Sequence, residues 1–241
     1  KKYIYILFFK IFIKKPIFIL STSLQEKKFN KNVLGLNYRY ENFKNYFFYN
    51  YDPSLEINNK KNILLYLGRL HPKKGIENLI YSLSILKKNY ALNLELFIVG
   101  KGDKKYEVKL KELVTLLQLN ENINFKGQLE FEEKNNLIKL SKFLILPSYS
   151  ENFGLVVLES LMNSTPVIVS NFTPWKIIKW KSAGYMTDIQ PVKIAETINK
   201  AFLINNEKYK QMSLNAKKVS KYYDINNNIH KFETIIKKFY A

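Results

Sequence analysis

From residue 62 onward the apolar positions switch between two periods. Short, mainly apolar segments recur at Ile63–Leu67, Leu94–Val99, Ile123–Phe125, Phe143–Leu146 and Pro166–Val169, and most close on glycine, proline or serine. Runs of this kind suit strands buried on both faces of a parallel sheet. Between the first two, Ile76, Leu79, Ile80, Leu83 and Leu86 recur three and four apart, which predicts a helix over 76–86. The same reading gives helices over Lys105–Leu117, Phe131–Leu140 and Leu155–Met162, and makes Thr173-Pro174 the N-cap and first turn of another. Three further helical stretches follow Gly184, at 191–204, 207–221 and 225–239. Strands alternating with helices predict an α/β fold with a parallel sheet covered by helices on both faces.

The first 61 residues read differently. Residues 3–20 are apolar but interrupted by Lys10, Lys14, Lys15 and Pro16. A membrane-spanning helix needs about 20 mostly apolar residues. The expectation is therefore a helix, Lys2 to Lys14, followed by a buried strand, Pro16 to Leu20. The stretch 34–61, rich in Asn and Tyr, predicts an irregular connection between two structural parts. The chain opens on Lys-Lys rather than Met, so it reads as a fragment.

Composition narrows the chemistry. The 241 residues are 46% hydrophobic, with 17 Phe and 17 Tyr, enough to bury a core. The absence of cysteine excludes disulfides, thiolate metal sites and a cysteine nucleophile. Two histidines, His71 and His230, exclude a histidine-rich metal site. A net charge of +19 raises the question of nucleic acid or anionic membrane. The charge is nearly all lysine, spread along the chain, with no nucleic-acid-binding motif. The plainest reading is a coding bias that favours Lys and Asn over Arg; no nucleic-acid partner is expected, and of the two surfaces peripheral contact with anionic lipid is the more plausible. Arginine occurs only at Arg39 and Arg69. An arginine placed in so lysine-rich a chain suggests a need for its planar fork.

Ligands on open parallel sheets bind beyond the carboxyl ends of the strands, and two polar clusters fall there. The first is Gly68-Arg69-Leu70-His71-Pro72-Lys73-Lys74-Gly75, between a strand and a helix. Arg69 and Lys74 would converge with a helix dipole on a phosphate or diphosphate. Lys73 and His71 read as solvated turn residues. The second runs from Ser148 to Glu159. Glu151 follows a strand end, Glu159 lies inside the next helix, and Gly154 lets the backbone approach a ligand and frees amides. If the whole span were helical, eight residues would set the two carboxylates at most ~12 Å apart. A diphosphate at the helix start would then have one carboxylate near each end, which is the layout of a nucleotide-sugar. Glu151 as a helix cap and Glu159 as a surface residue are the plainer alternatives. Gly100-Lys101-Gly102 is equally compatible with a tight turn, since it lacks the third glycine of a dinucleotide fingerprint.

Taken in order, Gly68-Arg69-Leu70, Pro72, Lys74-Gly75, Val99-Gly100-x-Gly102, Phe125-x-Gly127 and Pro147-Ser148-x-x-Glu151-x-Phe153-Gly154 with Glu159 resemble the C-terminal domain of family 4 glycosyltransferases. Glu151 and Glu159 would form that family's Glu-x7-Glu motif. Asn171-Phe172-Thr173-Pro174-Trp175 with Ala183-Gly184-Tyr185 resembles the members that build cell-surface and lipopolysaccharide sugars. The similarity spans about residues 62–204. It implies a GT-B fold, with a Rossmann-like domain that holds a nucleotide-sugar donor, UDP- or GDP-linked, and a retaining transfer without metal or other cofactor. It implies that Arg69 and Lys74 neutralise the leaving diphosphate, together with backbone amides at Gly154 and Leu155. It implies that Glu151 contacts the donor sugar and Glu159 the ribose, with Gly68, Gly100, Gly102 and Phe153 shaping the donor site.

The domain organisation that follows is a remnant of an acceptor-binding domain and linker over 1–61, a donor domain over 62–204, and C-terminal helices over 205–241 that cross back. Pro16–Ser23 with Glu26 resembles the tail of the first domain. Asn152 stands where many relatives have glycine. A glycan or lipid-linked acceptor and a cytoplasmic place, peripheral to the inner face of the plasma membrane, are expected. A truncated, non-catalytic nucleotide- or membrane-binding module is the alternative.

Overall fold

A computed structural model of the chain describes residues 18–21, 27–28, 30–32, 39–42, 60–90, 94–226, 228–230, 233–234 and 237. The chain divides into two compact units, one of residues 50–222 and one of residues 1–49 with 223–241.

In the smaller unit, strand β1 (Phe18–Ser21) pairs in parallel with β2 (Arg39–Asn42), from Phe18↔Arg39 to Ser21↔Asn42. The strand expected at Pro16–Leu20 thus lies slightly later. The connection expected to be irregular over 34–61 contains β2. Its sequence, RYEN, has no apolar run to announce a strand; pairing with β1 overrides local preference. The helix expected over Lys2–Lys14, Glu26 and most of the stretch 225–239 lie outside the described residues. No helix among the described residues is long and apolar enough to cross a membrane.

The larger unit alternates as the periodicity predicts: β3 (Lys61–Leu67), α1 (Ile76–Asn89), β4 (Glu95–Val99), α2 (Lys104–Leu116), β5 (Ile123–Gly127), α3 (Phe131–Leu140), β6 (Ser141–Leu146), α4 (Leu155–Met162), β7 (Val167–Ser170), α5 (Ile177–Trp180), β8 (Gly184–Thr187), α6 (Pro191–Phe202) and α7 (Asn206–Ser220). The six strands form one parallel sheet in the order β5-β4-β3-β6-β7-β8. From β3 the chain winds outward to β5, returns across the sheet to β6, and winds outward again. The reversal leaves a crevice between the carboxyl ends of β3 and β6, where ligands bind in sheets of this kind.

The central strands carry the core. Leu64, Leu65, Tyr66, Phe143, Leu144, Ile145, Val167, Ile168 and Val169 have no solvent exposure. Burying each such side chain contributes roughly 1.5–3 kcal/mol. Tyr66 is the polar member of this set, and its hydroxyl donates to the Arg69 carbonyl at 3.0 Å. Burial raises its pKa well above the usual phenol range. Helix α1 packs against α2 and α6, and α4 against α3 and α7. Side chains fix several helix starts: Asp103 accepts from the Lys105 amide, Asn205 from the Lys208 amide, and Glu130 with Glu133 closes a capping box on α3.

Two expectations fail in the larger unit. Thr173-Pro174 does not open a helix. Thr173 Oγ1 donates back to the Ser170 carbonyl at 2.9 Å, and α5 begins only at Ile177 with Lys176 at its cap. The turn after β7 consumes the hydroxyl that would have capped. The second is β8, a strand the apolar pattern did not announce. It is four residues long and mostly half-buried, and it pairs with β7 from Val167↔Gly184 to Ser170↔Thr187. Its first residue must be glycine, because a Cβ there would lie 2.0 Å from the Val167 carbonyl oxygen.

Candidate functional site

Four loops at the carboxyl ends of the strands, those after β3, β4, β6 and β7, are bound to one another by three seams. The loops after β3 and β4 are joined by Gly68 N–H to the Val99 carbonyl at 3.0 Å and Leu70 N–H to the Lys101 carbonyl at 2.9 Å. The backbones then touch. A Cβ on Gly100 would sit 2.0 Å from Gly68 O, and one on Gly102 would sit 2.2 Å from Leu70 O. Gly100 and Gly102 are therefore accounted for by this crossing of two main chains, and Gly102 N–H is already bonded to Glu107 at 2.6 Å.

The loop after β3 is also sewn to the loop after β6, across the crevice. A Cβ on Gly75 would meet the Pro147 carbonyl at 2.3 Å, and Gly75 holds a φ of +70° that glycine adopts without cost. The Tyr149 amide donates to the Lys73 carbonyl at 2.9 Å. This seam brings two predicted residues 77 positions apart into contact: Lys74 Nζ lies 2.5 Å from Glu151 Oε1. Ser148 Oγ donates to the same oxygen at 2.8 Å. The Glu151 side chain is 10% exposed and that of Lys74 22%. Both contacts fall on Oε1, so Glu151 Oε2 still has its lone pairs. A lysine ammonium has three N–H donors, so Lys74 also has capacity left.

The third seam holds the start of α4. Trp175, almost wholly buried, donates its indole N–H to the Phe153 carbonyl, and its ring lies 4.9 Å from that of Phe153. Ser170 Oγ donates to the Ser148 carbonyl at 2.5 Å. Gly154 caps α4 with φ +80° and no side-chain acceptor. The first amides of α4, at Gly154 and Leu155, are thus offered at the positive end of a helix dipole. Phe153 is buried packing, while Leu155 is exposed. The span from Glu151 to Glu159 is helical only from Leu155, so the ~12 Å helical spacing does not describe this pair.

Arg69 is exposed at the rim and enters no ion pair or side-chain hydrogen bond among the described residues. His71 Nδ1 accepts from the Lys73 amide at 3.1 Å, a turn contact. Glu159, one turn into α4, meets a residue that the sequence did not single out. Lys134 Nζ of α3 lies 2.8 Å from Glu159 Oε1 and 5.4 Å from the Phe131 ring centroid. Glu159 Oε2 is buried with no hydrogen-bond partner. Lys134 was invisible in sequence because it is one lysine among dozens; only the packing of α3 on α4 marks it.

An α/β domain with cations, a buried carboxylate and an uncapped helix start gathered at the switch point of its sheet offers donors suited to an anion and an acceptor suited to hydroxyl groups. Comparison with known proteins gives that class its family. Residues 48–219 match the sequence model of the glycosyl transferases group 1, and the chain belongs to that family. Among its relatives, the O-antigen chain mannosyltransferase RfbU of Salmonella typhimurium is 28% identical over 127 residues, 53% of this chain and 35% of RfbU. The capsular polysaccharide biosynthesis glycosyltransferase CapH of Staphylococcus aureus is 27% identical over 178 residues, 73% of this chain and 48% of CapH. The chain therefore spans about a third to a half of these relatives. Among solved structures, Anabaena Alr3699/HepE, in complex with UDP and glucose, superposes with a TM-score of 0.80 at 18% identity, over 98% of this chain and 66% of HepE. That likeness establishes the Rossmann-like fold.

Proposed function

We propose that this chain carries the donor site of a retaining family 4 glycosyltransferase. The enzyme would move a sugar from a UDP- or GDP-linked donor to a glycan or lipid-linked acceptor, in cell-surface polysaccharide or lipopolysaccharide synthesis. The observation that carries the reading is the Lys74–Glu151–Ser148 cluster beside the uncapped start of α4. In the proposed transfer the acceptor's hydroxyl oxygen bonds to the anomeric carbon as the bond from that carbon to the diphosphate oxygen breaks; the diphosphate leaves with the bonding pair and takes up the proton that the acceptor hydroxyl gives up. Arg69, the spare donors of Lys74 and the amides at Gly154 and Leu155 meet that charge; fixed dipoles and cations of this kind act without reorganising. Glu151 Oε2 accepts from hydroxyls of the donor sugar. Glu159 accepts from the ribose once its carboxylate turns, a low-barrier motion about the terminal torsion.

The domain reading goes with it: a donor domain over 62–204, an acceptor-domain remnant before it, and terminal helices crossing back. A cytoplasmic place at the inner face of the membrane suits the lipid-linked acceptor. Support comes from family membership and from RfbU and CapH, whose names record O-antigen and capsule synthesis.

The test is calorimetric titration of UDP, GDP and their sugar conjugates into the protein, with Arg69→Ala beside it. One nucleotide should bind, and the variant should lose at least tenfold in affinity, as for a charge-assisted hydrogen bond worth about 1.5–3 kcal/mol. A folded protein that binds none of them would overturn the donor site. Binding with no turnover of any acceptor would favour a non-catalytic nucleotide-binding module.

A further inference from the structure

The two tryptophans of this chain have opposite fates. Trp175 is 1% exposed and holds the site loop; Trp180, five residues on, is 75% exposed. Fully buried Ile178 anchors the short helix α5 and leaves Trp180 outside. Lys179 and Lys181 flank Trp180 in sequence, Lys176 lies one turn before it, and all three are exposed. Helix α7 packs beside α5, and Asn215 Nδ2 donates to the Ser182 carbonyl at 3.3 Å. Leu214 and Lys218 of α7 are exposed next to that contact.

Apart from Glu207 in the first turn of α7, the charge on these segments is of one sign. Residues 171–187 and 208–222 together hold eight lysines and no Asp or Glu. Acids resume only beyond their ends, at Asp188, Glu207 and Asp224. Leaving a tryptophan in water forfeits most of its burial energy, and the like charges of exposed Lys176, Lys179, Lys181 and Lys218 on adjoining elements repel one another. Both costs fall against a surface that offers fixed negative charge and a half-polar layer for the indole.

We infer that the face formed by α5 and α7 docks on an anionic lipid bilayer, with Trp180 in the headgroup layer. The occupant is chosen by chemistry. Tryptophan favours the membrane interface, and lysines near an anionic leaflet each add about 1 kcal/mol, or roughly fivefold, to binding. The segments carry no arginine, the residue best suited to clamping nucleic-acid phosphates. The inference deepens the membrane-side reading above but does not depend on the donor site.

The experiment is sedimentation of the protein with vesicles of phosphatidylcholine alone or mixed equally with phosphatidylglycerol, while tryptophan emission is followed. Binding should require the anionic lipid, weaken with salt, and shift emission to the blue. Trp180→Ser should abolish the shift, since Trp175 is already buried. Lys179→Gln, Lys181→Gln and Lys218→Gln combined should weaken binding at least tenfold. UDP or GDP affinity and circular dichroism, measured on the same variants, report the donor site and folding separately. Equal vesicle binding by wild type and variants, or no emission shift on binding, would overturn the inference. So would a preference for single-stranded oligonucleotide over the anionic vesicles.

Discussion

The two ends of the six-stranded sheet handle lysine in opposite ways. At the carboxyl end Lys74 and Lys134 each face a carboxylate, Glu151 at 2.5 Å and Glu159 at 2.8 Å. At the amino end Lys60 and Lys142 are withdrawn from water against neutral partners. Lys60 donates to the Thr165 hydroxyl at 2.6 Å. Lys142 donates to the Phe202 carbonyl at 3.1 Å and lies over the rings of Phe202 and Tyr209. Burial lowers the pKa of both, that of Lys60 to about 7. A lysine set against an acid can trade partners with an incoming anion. A lysine buried against a hydroxyl or carbonyl is a structural liability and has nothing to trade. The difference agrees with the proposed donor site at the carboxyl end.

The largest effect should come from unbalancing the better buried of the two acid pairs. Lys74→Met leaves the Glu151 carboxylate with only Ser148 in a pocket where the side chain is 10% exposed. Removing one partner of a buried pair costs about 3–5 kcal/mol, toward the lower figure here because Lys74 is partly exposed. Urea denaturation should register that loss. Lys74→Met with Glu151→Leu should recover most of the stability and none of the nucleotide-sugar binding. A double variant that binds as wild type would mean that the pair is scaffold and not site.

Glu159→Gln sharpens the contrast on the same helix. Glu159 Oε2 is an acceptor buried without a donor, an arrangement that costs about 1–3 kcal/mol in the ligand-free protein. The amide gives that position a donor or a weaker acceptor, so stability should change by less than about 1 kcal/mol. Affinity for UDP or GDP should fall about tenfold, while affinity for the 2′-deoxy and 3′-deoxy nucleotides should hardly change. Equal losses on ribose and deoxyribose would remove Glu159 from the sugar edge of the nucleotide.

Most of this sheet was legible in the sequence, and the failures have physical causes. The continuous runs Ile63–Leu67 and Phe143–Leu146 could hardly be anything but central strands, because both of their faces are covered. Strand β8, an edge, carries no such run, and its reason for existing is the backbone of Val167 beside Gly184. Polar β2 is defined by its partner β1 alone. At the site, Arg69, Lys74, Glu151 and Gly154 stood out because glycine-bounded loops at strand ends concentrate chemistry. That Lys74 reaches Glu151 was not readable, since it depends on the seam between Gly75 and Pro147. Nor was Trp175: an aromatic after a Thr-Pro pair gives no hint that its indole will hold the Phe153 carbonyl.

The smallest expected effect tests the amino end. Lys60 titrates near 7 in the folded chain and near 10.5 when exposed. Below pH 7 both states carry the charge, and the desolvation penalty is constant and complete. Between about 7 and 10.5 the unfolded chain binds more protons than the folded one, so stability rises with pH. The limiting slope is about 1.4 kcal/mol per pH unit, and partial solvation reduces it to an expected rise of about 1–2 kcal/mol from pH 7.5 to 9.5. That window stays below the titration of tyrosine, where buried Tyr66 and Tyr209, whose pKa values burial raises, would reverse the sign. Lys60→Met should remove most of that rise, leaving the smaller part due to Lys142, and raise the urea midpoint at pH 7.5, because a methionine stem fills the same space without the charge. A wild-type midpoint that falls with pH, or a variant that keeps the whole of the rise, would show that Lys60 is solvated, and the distinction between the two ends of the sheet would then rest on Lys142 alone.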